Sequence, residues 1–328
     1  MPYLPQIRIL VPSAQVSSYT TGVLSLPSAK GAFTPAVRAL FAGGGDGSSS
    51  LNVIDYINIA TTGNAVDFGD MTVSHYGRAS GSSSTRGVFA TSASNGNVID
   101  YVTILSEGNA TDFGDLATGK FHPSGCSSST RAIFAGGQVY PTYYTSAEYI
   151  TIASTGNGTS FGDLTVSGTA PAGLASPTRG VYGGRFNGSN QNVIDYYTIA
   201  TTGAATDFGD LTQSKSYAGG ASNSTRGLFF GGDVPGNYVN VIEYITIAST
   251  GNATDFGDLL NTWEPYGNGA VSSSTRAVVG PSYVPYGGPV VNTLQYVEIA
   301  TTGNAVDFGD STVARQATAG VSNGHGGL

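Results

Sequence analysis

Charge is scarce in this chain. Only 10% of its 328 residues are Asp, Glu, Lys or Arg, against roughly a quarter in an average globular domain. The balance is acidic, with a formal net charge of −8 and 13 Lys and Arg. So few cations make no basic face for a phosphate backbone, and nucleic-acid partners are excluded. Cysteine occurs once, as Cys126, which rules out an intramolecular disulfide and any multi-cysteine metal site. No apolar run approaches the roughly 20 residues that carry a helix across a bilayer, so membrane insertion is not expected. The opening MPYLPQIRIL has neither the basic n-region nor the continuous apolar h-region of a signal peptide, and synthesis in a cytoplasm is the expectation. Glycine, by contrast, numbers 48, about twice its usual share. The apolar 40% still suffices for a core.

Against this background one tripeptide returns. Phe-Gly-Asp stands at Phe68, Phe113, Phe161, Phe208, Phe256 and Phe308, at intervals of 45 to 52 residues. It closes a longer unit of Arg, a short apolar run, usually Gly-Gly, a variable loop, Tyr, an Ile three residues on, Gly, then Phe-Gly-Asp. A period in this range, holding about four short strand patterns, is the mark of a β-propeller. The expected fold class is therefore all-β, with four-stranded blades. Architecture alone fixes no function, because propellers host catalysis, binding and structure on one frame.

In the first full unit, residues 38–44 (RALFAGG) read as a strand entering a glycine turn, and 52–60 (NVIDYINIA) as a β-branched, aromatic strand. The turn Thr61-Thr62-Gly63-Asn64 leads to a strand ending in Phe68-Gly69-Asp70, and the small residues 77–84 suit the crowded axis of the next blade. Labelled from the axis outward, strand a holds the small residues, b starts at Arg, c carries Tyr and Ile, and d ends in Phe-Gly-Asp. Strand a is counted seven times, because Ala319-Gly320-Val321-Ser322-Asn323 resembles Gly219-Gly220-Ala221-Ser222-Asn223, whereas full b, c and d sets number six. The expectation is a single domain, 1–328, with seven blades. Six complete repeats fill 28–310, and a composite blade joins the N-terminal segment 1–27 (strand-like at 6–11 and 23–26) to a closing strand within 311–328. Such closure leaves no free sheet edge. The alternative is six blades with 1–27 as an arm.

The repeated charges are expected to be structural. Each unit has one Arg opening strand b (Arg38, Arg86, Arg131, Arg179, Arg226, Arg276) and one Asp in Phe-Gly-Asp (Asp70, Asp115, Asp163, Asp210, Asp258, Asp310). A catalytic centre needs one asymmetric constellation, whereas these recur in every blade. Pairing of each Arg with an Asp of its own or the adjacent blade is expected, with Phe and Gly serving inter-blade packing and a turn. The functional alternative is a set of calcium sites, since hard cations want several oxygen ligands.

Gly-Gly, a spaced Tyr and a spaced large aromatic, as in LFAGGGDGSSSLNVIDYINIATTGNAVDF (40–68), resemble kelch-type propeller repeats. Departures are Ala90-Thr91 for Gly-Gly in the second unit and Val279-Gly280 in the sixth. Phe also stands where kelch repeats usually carry Trp, at a longer spacing from Tyr. Ile-Asp-Tyr together with Asp-Phe-Gly-Asp gives a closer likeness: over nearly its whole length the chain resembles the kelch-like repeat proteins encoded by tailed bacteriophages, notably marine and cyanobacterial ones. The resemblance implies a virion-associated structural or host-adhesion protein, with other virion proteins or host-surface glycans as partners and homo-oligomerisation open.

Chemistry-bearing residues are sparse. Some kelch-type propellers are copper oxidases needing His and Tyr ligands, but His75, His122 and His325 are scattered among connecting and terminal segments. Cys126 sits in a strand a as a small buried thiol. No Ser-His-Asp order, phosphate loop or metal-spaced His pair appears, so no enzyme, metal or cofactor is expected, and an oxidase or glycosidase ranks last. Loop geometry points to binding instead. In an antiparallel blade the b–c and d–a connections share one face, and the b–c loops vary in every unit. They carry Tyr140, Tyr143 and Tyr144, then Arg185, Tyr238, Tyr283 and Tyr286, and the last full d–a connection adds Trp263 and Tyr266. Variable aromatic loops on a rigid frame are where binding usually lives. The expected function is a non-enzymatic virion scaffold that docks virion subunits or host glycans through this face; a free lectin-like propeller is the alternative.

Overall fold

Short runs of β-branched and aromatic residues, broken by Gly-, Asn- or Thr-rich turns, leave no room for a helix, and every regular element of the described residues is a strand. A computed structural model describes residues 37–74, 76, 79–90, 96–260, 269–284 and 288–328. The chain divides into two units, Met1–Pro35 and Ala36–Leu328. The strands expected at 6–11 and 23–26, and the composite role of 1–27, lie outside the described residues.

The fold is a β-propeller of six four-stranded antiparallel blades. Blade 2 runs from the axis outward as Ala79–Ser82, Arg86–Ala90, Val98–Thr103 and Thr111–Asp115, and blade 3 as Ser124–Ser127, Arg131–Ala135, Ser146–Thr151 and Thr159–Asp163. Blade 4 comprises Ala172–Ala175, Arg179–Phe186, Asn190–Thr198 and Thr206–Lys215; blade 5, Gly219–Ser222, Arg226–Val234, Asn237–Thr246 and Thr254–Asp258. Blade 6 comprises Ala270–Ser272, Arg276–Val279, Thr293–Glu298 and Val306–Asp310.

Blade 1 closes the ring. Its outer strands are Arg38–Ala42, Val53–Asn58 and Val66–Asp70, and its innermost strand is the C-terminal Ala319–Ser322, paired in register Ala42↔Ala319 and Ala39↔Ser322. The seven-blade expectation is thereby corrected to the six-blade alternative. Six b–c–d sets need six inner strands; five lie between repeats, and the C-terminal one completes the first set rather than founding a seventh. Asn323 Oδ1 accepts from the Arg38 amide at 2.8 Å, the cap that Ser83 or Ser128 gives Arg86 or Arg131 in an unbroken a–b turn.

Phe-Gly-Asp is the joint between blades. Each outermost strand bulges at its Phe: Ile99 faces Gly114 and Asp100 faces Asp112, which leaves Phe113 between them. The bulge turns Phe113 into the interface, 2% exposed and edge-on to Tyr101, while the preceding Asp faces solvent. The next blade's c–d turn then clasps the strand's free edge. Gly156 and Gly158 donate to the carbonyls of Phe113 and Asp115 at 2.8 and 2.7 Å, and Asn157 Oδ1 accepts from the Asp115 amide at 3.1 Å. The same clasp recurs around the ring. At blade 4, Ala204 stands where the others have Asn, and only the two backbone bonds remain. The approach is tight enough to require glycine. A Cβ on Gly114 (φ 143°) would lie 2.6 Å from the Gly156 carbonyl oxygen.

The repeated arginines also join blades, but not through the expected aspartates. Arg179 lies 4.5 Å over the Tyr196 ring of its own blade and donates to the Ile247 carbonyl of the next at 2.8 Å. The other five stack on Tyr56, Tyr101, Tyr149, Tyr244 and Tyr296 and reach the next blade's c–d turn in the same way. A guanidinium is planar and weakly hydrated, so it stacks and donates at once. The carboxylate partners shown are Glu107 for Arg38 and Glu298 for Arg276, both on the surface.

Candidate functional site

The antiparallel order puts the uniform a–b and c–d turns on one face and the b–c and d–a loops on the other. Beneath the loop face lies a buried layer of charge. The residue before each strand c Tyr (Asp55, Asp100, Glu148, Asp195, Glu243 or Gln295) accepts a backbone N–H from the preceding blade's d–a connection. The donors are Thr312, Thr72, Ala117, Thr165, Thr212 and Leu260 in turn. Among the described residues, a buried cation completes the anchor in four blades. Arg315 meets Asp55 at 2.9 Å, Arg185 meets Asp195 at 2.8 Å, Lys120 meets Glu148 at 3.9 Å, and Lys215 meets Glu243. Burial holds Lys120, Lys215 and Arg315 below their ordinary pKa values, opposed by the partner carboxylates, and raises that of Asp100, opposed by Thr72.

Arg315, Lys120 and Lys215 each stand five residues after the Asp of Phe-Gly-Asp, a column outside the repeated Arg and Asp positions. The third unit has Gly168 there. Arg185, from strand b of blade 4, fills the vacated space; a Cβ on Gly168 would lie 2.7 Å from Arg185 Cγ. Arg185 was expected on the binding face and is instead fully buried. The cause is that strand b runs on to Phe186, past the Gly-Gly break that suggested a loop.

Of the other expected binding residues that the structure describes, Tyr140 is the one in the open. It caps the hairpin Gln138–Val139/Thr142–Tyr143 and is 86% exposed. Tyr143 is half-buried, edge-on to Phe186 of blade 4 at 5.9 Å, and Tyr144 takes the Lys120 ammonium at 5.3 Å from its ring. The hairpin is thus fastened at its base and free at its tip. Tyr238 and Tyr283 are half-buried in their b–c hairpins, the latter bridged to Val290. Trp263, Tyr266 and Tyr286 lie outside the described residues, as does His75.

Nearer the axis a feature emerges that the sequence did not announce. His122, Ala170 and Tyr217 each stand two residues before a strand a, in left-handed backbone with φ of 48°, 54° and 55°. Ala170 donates to the His122 carbonyl at 2.8 Å and Tyr217 to the Ala170 carbonyl at 3.1 Å, which brings the His122 and Tyr217 rings to 5.5 Å. Among the described residues no three His, Cys, Asp or Glu side chains converge on a point. The Cys126 thiol accepts from the Tyr182 hydroxyl at 3.2 Å, and burial pushes it up to about 12, far from a reactive thiolate. The exposed chemistry of the hairpin sector is therefore an aromatic tip beside neutral hydrogen-bonding groups such as Asn187, Ser189 and Gln191. Compared with known proteins, the sequence matches no family model and no curated protein.

Proposed function

We propose that this propeller is a non-enzymatic binding scaffold of the kelch-like bacteriophage type, a virion component whose loop face docks another virion protein or a host-surface glycan. The observation that carries this reading is the contrast between the faces. One consists of near-identical turns consumed in clasping blade to blade. The other holds individual loops on buried ion pairs and projects Tyr140 into solvent. A rigid base under an exposed aromatic lowers the ordering cost of binding, and contacts of this kind dominate interfaces.

The test pairs location with attachment. Antibody labelling of purified particles should find the protein in the virion, and particles carrying Tyr140→Ala should assemble or attach poorly. Labelling confined to the particle-free fraction, with glycan-array binding retained, would favour the free lectin. Particles that contain the protein and attach normally without Tyr140 would refute a role for the hairpin.

A further inference from the structure

The turn-face mouth of the axis is occupied by the chain itself. Around the axis the inner strands are tied by a ring of serines, each donating its hydroxyl to the inner-strand carbonyl of the blade before. Ser82 donates to Ser322 at 2.8 Å, Ser127 to Ser82 at 3.1 Å, Ser222 to Ala175 at 2.6 Å, Ser272 to Ser222 at 2.7 Å and Ser322 to Ser272 at 2.5 Å. Blade 4 has Ala175 at this position, so the ring is interrupted beside Ser127. Residues 324–328 cross the axis at that level. His325 Nε2 donates to the Ser82 carbonyl at 2.9 Å and lies 3.4 Å from Ser127 Oγ, while its Nδ1 accepts from the Gly327 amide at 3.0 Å. Gly326 donates to the Ser222 carbonyl at 2.9 Å.

These contacts define what the mouth accepts. A Cβ on Gly326 would collide with the carbonyls of Asn223 and Ala175, and one on Gly327 with that of Ser127, so both positions need glycine. The imidazole must carry its hydrogen on Nε2 and present a bare Nδ1, which is one tautomer of the neutral ring. Beneath it lies a cavity of about 60 Å3, lined by Ser80, Ser82, Ser127, Ser222, Ser272 and their neighbours. Its walls are carbonyls, hydroxyls and small side chains, the chemistry of a site for a peptide backbone.

We infer that the turn-face mouth of the axis is a peptide-binding site, specific for a glycine-flanked histidine, and that residues 324–328 are its ligand bound in cis. The site is distinct from the loop face and independent of what that face binds. An emptied mouth takes the same segment in trans, and the partner known to carry that segment is a second copy of this chain.

The test uses the full-length chain carrying Gly327→Val, whose added side chain meets Ser127 and unseats the segment while leaving the closing strand Ala319–Ser322 in place. A fluorescent peptide of sequence Asn-Gly-His-Gly-Gly-Leu should bind this variant at least tenfold more tightly than the wild type, whose mouth is filled. Replacing the peptide's His by Ala should weaken binding at least tenfold. No binding to a variant that still melts cooperatively, or equal binding to both chains, overturns the proposal. If the variant does not fold, hydrogen exchange on the wild type decides: protected Gly326 and Gly327 amides support the seated ligand, and unprotected ones refute it.

Discussion

Arg315→Ala is expected to destabilise the ring strongly, and the magnitude follows from its surroundings. The guanidinium is fully buried and donates to the Val53 carbonyl at 2.7 Å, the Phe41 carbonyl at 3.0 Å and Asp55 Oδ2 at 2.9 Å. Truncation leaves Asp55, itself 0% exposed, with the Thr312 amide and hydroxyl as its partners among the described residues. Removing one partner of a buried pair typically costs about 3–5 kcal/mol, because the other charge stays desolvated. The Thr312 bonds keep the expectation near the lower end, about 3–4 kcal/mol. Arg315 joins the connection after blade 6 to strands b and c of blade 1, so the loss falls at the closing seam. Hydrogen exchange should show Ala319–Ser322 opening before the inner strands of blades 2 to 5. Urea unfolding gives the total, and a cycle of Arg315→Met, Asp55→Leu and the double variant isolates the pair. The double variant should be more stable than Arg315→Met alone. A loss under about 1 kcal/mol, or additive effects across the cycle, would show that water reaches the pair and that the buried layer does not anchor the seam.

Much of this frame was legible in the sequence, and the misses share a cause. Phe-Gly-Asp, Tyr-Ile and the small-residue stretches mark strands d, c and a in every blade, because each blade is made of local antiparallel hairpins, though strand d of blade 4 runs on past Asp210 to Lys215. What the chain does across blades was not legible. The arginines were matched to aspartates by charge, yet their partners are a tyrosine face and a carbonyl of the next blade; a backbone acceptor leaves no mark in composition. Blade number failed likewise. Ala319-Gly320-Val321-Ser322 was recognised as an inner strand, but its partner, Arg38–Ala42, lies at the far end of the sequence. The loop face was legible in outline. Arg185 shows the limit: a polar residue after Gly-Gly reads as a loop tip, and only the absent side chain of Gly168, in another repeat, reveals the space it fills.

The remaining expectations divide the frame from its faces. Arg179→Ala should cost about 1–2 kcal/mol in thermal or urea unfolding, for one stacked cation and one charge-assisted hydrogen bond at a half-buried site; a loss matching that of Arg315→Ala would mean a buried acid had been missed. Gly114→Ala should cost about 1–3 kcal/mol from backbone strain and the collision with Gly156, and an unchanged melting temperature would show that the clasp is loose. Tyr140→Ala should leave the melting temperature unchanged, since its side chain is 86% exposed; a clear drop would place the hairpin tip in the core. The last expectation concerns pH. His325 sits neutral at the mouth of the axis, and burial holds its pKa below the ordinary 6.5, opposed by the bond to the Ser82 carbonyl. The inner strands packed against it carry no acid; their one titratable group is Cys126, neutral because its thiol is pushed up to about 12. The cations nearest in sequence to its contacts Ser82 and Ser127, Arg86 and Arg131, are engaged on Tyr101 and Tyr149, and Arg315 is paired with Asp55. Protonation would place a hydrogen on Nδ1 facing the Gly327 amide, donor against donor. A lowered bound-state value means that seating is at full strength above the free imidazole's pKa and is lost as the pH falls through the lower, seated one. Protection of the Gly326 and Gly327 amides should therefore fall as the pH drops below the ordinary imidazole value of 6.5, while that of Val88 and Ile133 in strands b persists. His325→Gln should abolish the dependence. Protection that stays level across this range in the wild type would mean the imidazole is not what holds the segment in the axis.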